Sequence, residues 1–465
     1  MYYDDDSVYD NDDDFEKEEV QDQFLLPDDL ESEMADLILD VRSVLQVSEG
    51  MARILLHKFK WNKNSLLEKF YESPDTEAFL VEAQVIPKTT QPSSTGEDDC
   101  DICCSFGELT GLACNHRACE DCWKHYLTEK IMEGGSSEIE CMSPDCKLLI
   151  EDEKIKSYIK DKTILDKLQR LVINSFVETN PALKWCPGKN CQKAVKVSDS
   201  EPRLISCPCG TQFCFSCCQN WHAPADCALL KKWLKKCMDD SETCNWINAN
   251  TKECPKCFVP IEKNGGCNHM RCTNKSCKFE FCWMCMGCWR SHGTAGYQCN
   301  RFDGGQDANR SKHRAYLNRY LFYYNRYITH QQSLALEEKL KETVAAKMAE
   351  MELKGMAWIE VQFLKKSIDA LAKCRRTLMY TYVFAFYLKK SNHPEMFENN
   401  QRDLEMATEQ LSGFLERDLE NEDLVTLKQK VQDLTKYVDR RQEALLEHCA
   451  DGNEQDLWEF TENGV

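Results

Sequence analysis

The sequence predicts a multidomain chain in which small metal-stabilised modules are flanked on each side by an all-α domain. Three observations predict it. Of the 29 cysteines, all but Cys374 and Cys449 lie between Cys100 and Cys299. Apolar residues recur at helical spacing on both sides of that block. A length of 465 residues gives room for about three domains or more.

The first 30 residues read as a disordered acidic tail. Residues 1 to 23 hold eleven Asp and Glu against one Lys, about half of the net charge of -20. The opening MYYDDDSVYDNDDDFEKEEV has no apolar h-region, so no secretory signal is predicted. The longest apolar run, Leu378 to Leu388, is shorter than the ~20 residues a membrane span needs. A soluble protein of the cytoplasm or nucleus is therefore expected, with no membrane partner. Thiols stay reduced there, so the cysteine block reads as zinc sites and not as a disulfide framework. The negative charge also argues against a nucleic-acid partner, because phosphate neutralisation needs clustered cations. The local exception, Lys231-Lys232-Trp233-Leu234-Lys235-Lys236, reads as the solvated face of a helix.

Residues 31–85 are predicted to form three short helices. Their apolar positions are Met34, Leu37, Ile38, Val41, Val44 and Leu45, then Met51, Ile54, Leu55 and Phe59, then Leu66, Leu67 and Phe70. Such a bundle serves equally as a packing module or as a partner-binding one. Residues 86–99 read as a polar linker. The cysteine-poor stretches 151–180 and 228–252 read as helical linkers. Residues 300–465 read as a bundle of long helices. Its stripes are Leu336, Leu340, Val344, Met348 and Met351, then Trp358, Val361, Leu364, Ile368 and Leu371, then Leu424, Leu427, Val431, Leu434 and Val438.

The cysteine block divides into three modules. In residues 100–150 the ligands are Cys100, Cys103, Cys114, His116, Cys119, Cys122, Cys141 and Cys146. Eight ligands fill two tetrahedral zinc ions and leave no open position, as structural sites require. A histidine in fourth place is the order of a RING finger. RING ligands interleave, with Cys100, Cys103, Cys119 and Cys122 on one ion and the other four on the second. Cys104 is left over. In residues 181–227 a second set of eight is Cys186, Cys191, Cys207, Cys209, Cys214, Cys217, His222 and Cys227, paired in sequence order. Cys218 is left over.

Residues 253–299 hold nine cysteines and two histidines, more than two zinc ions need. The regular pairs are Cys254 with Cys257, Cys272 with Cys277, Cys282 with Cys285, and His292 with Cys299. That leaves Cys267, His269 and Cys288. Cys267 follows Gly265-Gly266, and His269 is two residues on. A cysteine outside the metal sites, on a Gly-Gly loop, is expected to be exposed and ionisable. His269 could lower its pKa or act as a base. The competing reading makes Cys267 a buried structural thiol. Three modules of two ions each imply six zinc ions.

The order RING, second zinc module, then CPKC…GGCNHM with CKFEFCWMC resembles a RING-between-RING ubiquitin ligase. The C-terminal stretches WIEVQFLKK and LMYTYVFAFYLKK resemble the Ariadne subfamily. The resemblance covers nearly everything after about residue 30. It implies a RING, an in-between-RING and a RING2-like catalytic module between a UBA-like helical domain and an Ariadne helical domain. It further implies that a ubiquitin-conjugating enzyme docks on the first RING, with Ile102 as an apolar contact. Ubiquitin would pass to Cys267 as a thioester and then to a lysine of a protein substrate. His269 matches the histidine that deprotonates the attacking amine, Glu280 a supporting carboxylate, and Trp283 an aromatic beside the site. The Ariadne helices would cover Cys267, with inhibitory contacts at Leu336, Glu337 and Glu409. The family often has Phe where this chain has Leu336. The UBA-like domain would engage a neddylated cullin-RING ligase, which opens the closed form. The alternative is a non-covalent RING scaffold in which Cys267 is idle.

Overall fold

Pro27 suits the first position of a helix, where its fixed φ fits and its missing N–H costs nothing. The helix it opens, α1 (Pro27–Leu45), buries Leu30, Met34, Ile38, Val41 and Leu45 along one face. Next come α2 (Glu49–Lys58) and α3 (Lys63–Glu72), capped by the side chains of Ser48 and Asn62. A fourth helix, α4 (Thr76–Glu82), is capped by Asp75 and buries no residue fully. It therefore carries no strong periodicity, and three helices were predicted where four are found.

A computed structural model describes residues 22–88, 96–239, 251–263, 265–294, 299–302, 312–389, 393–416 and 424–461. The chain forms two compact units, Met1–Asn220 and Trp221–Val465.

In the first unit the N-terminal helices are not a separate module. Leu30, Ile38, Leu55 and Leu66 share one core with Leu109, Trp123, Leu127, Ile131 and Phe176. Buried Arg53 lies between Glu138 and Asp152, at 2.6 Å from each. The Trp61 indole donates to Thr179 at 3.1 Å. Strands β2 (Gly96–Asp99), β3 (Phe106–Gly111) and β4 (Arg117–Cys119) form one sheet in that order. The end of the expected linker is thus a strand. Helices α5 (Glu120–Glu133), α6 (Asp152–Tyr158) and α7 (Lys162–Thr179) follow, the last two where a helical stretch was expected.

The next module carries β5 (Leu183–Trp185), β6 (Ala194–Lys196), β7 (Leu204–Ser206) and β8 (Gln212–Cys214). A strand from the N-terminal segment, β1 (Gln23–Leu25), pairs antiparallel with β6, and Phe24 faces Val195. Phe24 packs on the small core of Val195, Val197, Ile205 and Phe213. Lys196 reaches Glu33 at 2.9 Å. Order therefore begins before residue 31, contrary to the expected tail boundary. Three residues are too short a run to announce a strand; burial of Phe24 on a partner sheet makes it one.

In the second unit, α8 (Cys227–Asp239) does more than link. Leu229, Leu230 and Trp233 enter the main core, while Lys231, Lys232 and Lys235 stay exposed. The third zinc module is built on β9 (Thr251–Glu253) paired with β10 (Pro260–Glu262), and β11 (His269–Arg271) paired with β12 (Glu280–Cys282). A short helix, α9 (Trp289–Thr294), follows. The helical domain comprises α10 (Lys312–Ala335), α11 (Glu337–Leu353), α12 (Trp358–Val361), α13 (Phe363–Tyr387), α14 (His393–Glu416) and α15 (Leu424–Glu454). Helix α13 is its axis, packed by α10, α11, α14 and α15. That explains the apolar run 378–388: every residue of it is buried, as a helix apolar on all sides must be. Among the described residues no helix is long and apolar enough to cross a membrane.

The predicted stripes hold at Leu340, Val344, Met351, Val361, Leu364, Ile368, Leu371, Leu427, Val431 and Val438, all buried. Trp358 departs from them at 65% exposed. It sits in the one-turn helix α12, which breaks before α13 and so leaves the phase of the longer helix.

Candidate functional site

The cysteine pairs sit on tight knuckles. The residue after the second cysteine is left-handed at Cys104 (φ 56°), Cys218 (φ 56°), Phe258 (φ 56°), Lys278 (φ 46°) and Met286 (φ 60°). Its N–H turns back to a carbonyl of the knuckle, as Cys104 does to Cys100 at 2.7 Å and Phe258 to Cys254 at 2.9 Å. The two leftover thiols Cys104 and Cys218 are therefore occupants of a turn position.

Five ligand sets come together with all their donor atoms within 4.8 Å of one another. They are Cys100, Cys103, Cys119 and Cys122; Cys114, His116, Cys141 and Cys146; Cys186, Cys191, Cys207 and Cys209; Cys214, Cys217, His222 and Cys227; and Cys254, Cys257, Cys272 and Cys277. Their membership is that of the predicted sets, including the interleaving in the first module. Tetrahedral zinc with bonds of about 2.3 Å demands sulfurs about 3.8 Å apart. The separations are 3.6 Å for Cys103 and Cys119, 3.7 Å for Cys114 and Cys141, 3.8 Å for Cys191 and Cys207, and 3.5 Å for Cys257 and Cys272. These distances are far too long for disulfides and fit a shared ion, so the clusters are zinc-binding. His222 directs Nδ1 to the Ala225 carbonyl at 2.6 Å, which leaves Nε2 facing Cys227 Sγ at 3.6 Å. That second contact selects the ligating nitrogen. For the last predicted set, Cys299 interacts with both Cys282 and Cys285. The side chain of His292 lies outside the described residues.

Cys267 belongs to none of these five sets. It closes a loop between β10 and β11 that is held by a buried lysine. Lys263 Nζ donates to the Asn268 side-chain oxygen at 2.9 Å, the Gly266 carbonyl at 3.2 Å and Ser333 Oγ at 2.8 Å. Trp283 N–H donates to the Asn268 carbonyl at 2.8 Å. The Trp283 ring is buried with Ile261 and Phe281 in the core of the module. His269 N–H points at Cys267 Sγ at 3.4 Å. The His269 ring stacks on Trp289 with centroids 4.2 Å apart, and its Nε2 lies 3.4 Å from Glu280 Oε2. The strand pairing explains this, because Glu280 faces Arg271 on the partner strand, two residues from His269.

The expectation of an exposed thiol is corrected: Cys267 is 9% exposed. Helix α14 covers it. Glu416 Oε1 accepts the Cys267 N–H at 2.9 Å. The Glu409 carboxylate accepts both the Asn268 N–H and, at 2.9 Å, the Asn268 side-chain amide. Arg375 on α13, also buried, bonds Ser412 and lies against Gly266. Burial, then the Glu409 and Glu416 carboxylates, push the Cys267 thiol well up from its ordinary pKa. Burial also pushes the Glu409 carboxyl up, against the pull of Arg375 and Lys263. Burial brings Lys263 down to about 8, against the pull of Glu409.

Of the other predicted contacts, Leu336 lines a fissure with Gly265, Gly266 and Glu416. The ion pair of Glu337 is with Lys341, one turn along its own helix, at 3.2 Å. Ile102 is 59% exposed between the first two ligands. Lys263, Arg375, Glu416 and Trp289 were not singled out in the sequence. Glu416 lies two turns beyond Glu409, and that spacing on one helix face is the signal that could have found it.

Comparison with known proteins gives four domain matches. The IBR domain, described as a half RING-finger domain, matches residues 166–227, and a second IBR description matches 247–295. The Ariadne domain matches 318–458, and the UBA-like domain of E3 ubiquitin-protein ligase ARIH1 matches 32–72. Over 448 residues the chain is 61% identical to E3 ubiquitin-protein ligase ari-1.1 of Caenorhabditis elegans, spanning 96% of this chain and 91% of that one. It is 48% identical to ARIH1 of Homo sapiens, over 96% of this chain and 83% of that one. It is 47% identical to ariadne-1 of Drosophila melanogaster, over 96% of this chain and 92% of that one.

Proposed function

The chain belongs to the Ariadne family of RING-between-RING E3 ubiquitin-protein ligases and is a ubiquitin transferase; from that premise we propose that it works through a thioester on Cys267. The observation that carries this reading is a thiol outside the five described ligand sets, with the His269 main-chain N–H on its sulfur, the His269 ring paired to Glu280, and a helix over the thiol. A ubiquitin-conjugating enzyme docks on the first RING at Ile102. The Cys267 thiolate attacks the carbonyl carbon of its ubiquitin thioester, and the enzyme's own thiolate leaves. The amine of a substrate lysine then attacks the Cys267 thioester. His269 takes the amine proton, Glu280 steadies the imidazolium, and the Cys267 thiolate leaves. Six zinc ions, two per module, hold the scaffold, with His292 completing the last set with Cys282, Cys285 and Cys299. Their role is structural.

The described form is the closed one. Glu409 and Glu416 keep Cys267 covered and its thiol protonated, and Leu336 packs beside Gly265, Gly266 and Glu416; Glu337 opens α11 next to Leu336. A partner that binds the open form better shifts the balance. A neddylated cullin-RING ligase engaging α1 to α3 is that partner. The site of action is cytoplasmic or nuclear. A non-covalent scaffold remains the second reading, and one experiment separates the two. The full-length Glu409→Ala/Glu416→Ala variant is mixed with a ubiquitin-charged conjugating enzyme and run on a non-reducing gel. The covalent reading expects a thiol-sensitive adduct, and a thiol-resistant one when Cys267→Ser is added. Lysine modification without either adduct would leave the scaffold reading.

A further inference from the structure

The covering helix does not merely bury Cys267; it places anions on hydrogen-bond donors. Three donors on two consecutive residues face carboxylate oxygens beside the thiol. Cys267 N–H bonds Glu416 Oε1 at 2.9 Å. Asn268 N–H and Asn268 Nδ2 converge on the two oxygens of Glu409. Groups other than the two carboxylates also hold these donors in place. Lys263 holds the Asn268 side-chain oxygen and the Gly266 carbonyl, and Trp283 N–H holds the Asn268 carbonyl. Asn268 is 0% exposed and keeps its Oδ1 on the lysine, which leaves its NH₂ for Glu409 Oε1.

Donors rigidly aimed at an anion next to a nucleophile are what acyl transfer requires. We propose that the Cys267 and Asn268 amides, with the Asn268 side chain, bind the oxyanion formed during ubiquitin transfer, and that Glu409 and Glu416 occupy that site in the closed form. Asn268 is then a catalytic residue, and Lys263 a positioning residue acting through it. The proposal rests on Cys267 being the nucleophile. In each half-reaction, attack on the thioester carbonyl moves the C=O electron pair onto oxygen. The resulting tetrahedral oxyanion accepts the three hydrogen bonds. Collapse restores the carbonyl and expels a thiolate: that of the conjugating enzyme in the first step, that of Cys267 in the second. In the closed form the glutamate carboxylates supply the same negative oxygens to the same donors. Opening the lid therefore exposes the thiol and vacates the oxyanion site together.

The test uses the full-length Glu409→Ala/Glu416→Ala chain as the parent. Single-turnover transfer from a charged conjugating enzyme to Cys267 is measured, then discharge of the adduct to free lysine. Alkylation of Cys267 by iodoacetamide is measured alongside, since that displacement forms no carbonyl oxyanion. Asn268→Ala is expected to slow both transfer steps by about ten- to a thousand-fold and to leave alkylation within about two-fold. Transfer at the parent's rate would overturn the proposal. So would a parallel fall in alkylation, because Asn268 would then only position the thiol. Should Asn268→Ala lose zinc, Asn268→Leu, near in volume and without a donor, faces the same outcomes. No adduct in the parent would instead defeat the covalent reading itself; an adduct with unaffected Asn268→Ala transfer defeats only the oxyanion site.

Discussion

Replacing Gly266 by alanine tests whether the closed form depends on close approach and not on backbone freedom. Gly266 is outside the left-handed region, so alanine costs nothing in conformation. Its Cβ would instead meet the Arg375 guanidinium, 2.7 Å from Cζ. Arg375 cannot withdraw freely, because it is 2% exposed and held by Ser412 and by Glu416 at 4.0 Å. Forcing a methyl into such packing costs about 1–3 kcal/mol. In the opening proposed above, α13 and α14 leave the loop, so that cost falls on the closed form. With RT near 0.59 kcal/mol, the open population rises about 5- to 150-fold. The assay is the second-order rate of iodoacetamide labelling at Cys267 in full-length protein, with ubiquitin adduct formation as a second readout. Both are expected to rise together. Labelling unchanged within about two-fold, with zinc retained, would refute the argument. It would mean that the loop and Arg375 part without cost.

Three further outcomes follow from the geometry. The closed form holds the Cys267 thiol above its ordinary value of 9.0. The closed form thus binds the proton more tightly, and its advantage is intact below pH ~9 and declines as pH rises from there. Labelling of the native chain should keep climbing through pH 9 without a plateau, whereas the Glu409→Ala/Glu416→Ala variant should level off near it; matching profiles would contradict the cover. Arg53→Ala strands Glu138 and Asp152, partly buried carboxylates each 2.6 Å from the guanidinium. A loss of about 3–5 kcal/mol is expected in the denaturant transition of the first unit, and a shift below about 1 kcal/mol would count against the shared core. Ile102→Ala removes a side chain that is 59% exposed. It should leave thermal stability within about 0.5 kcal/mol and lower adduct formation about tenfold; an unchanged adduct rate would move the docking site elsewhere.

Much of the zinc scaffold was legible before any coordinates. A tetrahedral ion needs four donors within a few ångströms, and short knuckles deliver two at a time, so the requirement is written in local spacing. The surplus at Cys267 and His269 came from the same arithmetic. Helical stripes were legible where a helix has one buried face, as in α1 and α11. They were less so in the C-terminal half of α13, which is buried on all sides, and at α12, where a one-turn break changes the phase. Strand β1 escaped notice because three residues hold no period. Its order comes from β6 and from the pocket that Phe24 fills.

The sequence by itself determined the order of modules, the family, the ligand sets and the thiol outside them, since each depends on residues near one another along the chain. The resemblance implied that the Ariadne helices cover that thiol, with Glu409 in the contact; only the tertiary structure decided how the cover is made and what it does to the thiol. The two carboxylates that raise its pKa, Glu409 and Glu416, and the Arg375 guanidinium against Gly266, which opposes them, lie more than a hundred positions away in the chain. No periodicity links them to the Gly-Gly loop. Folding brings their charges against its amides, and desolvation in that contact turns an expected reactive thiol into a covered one.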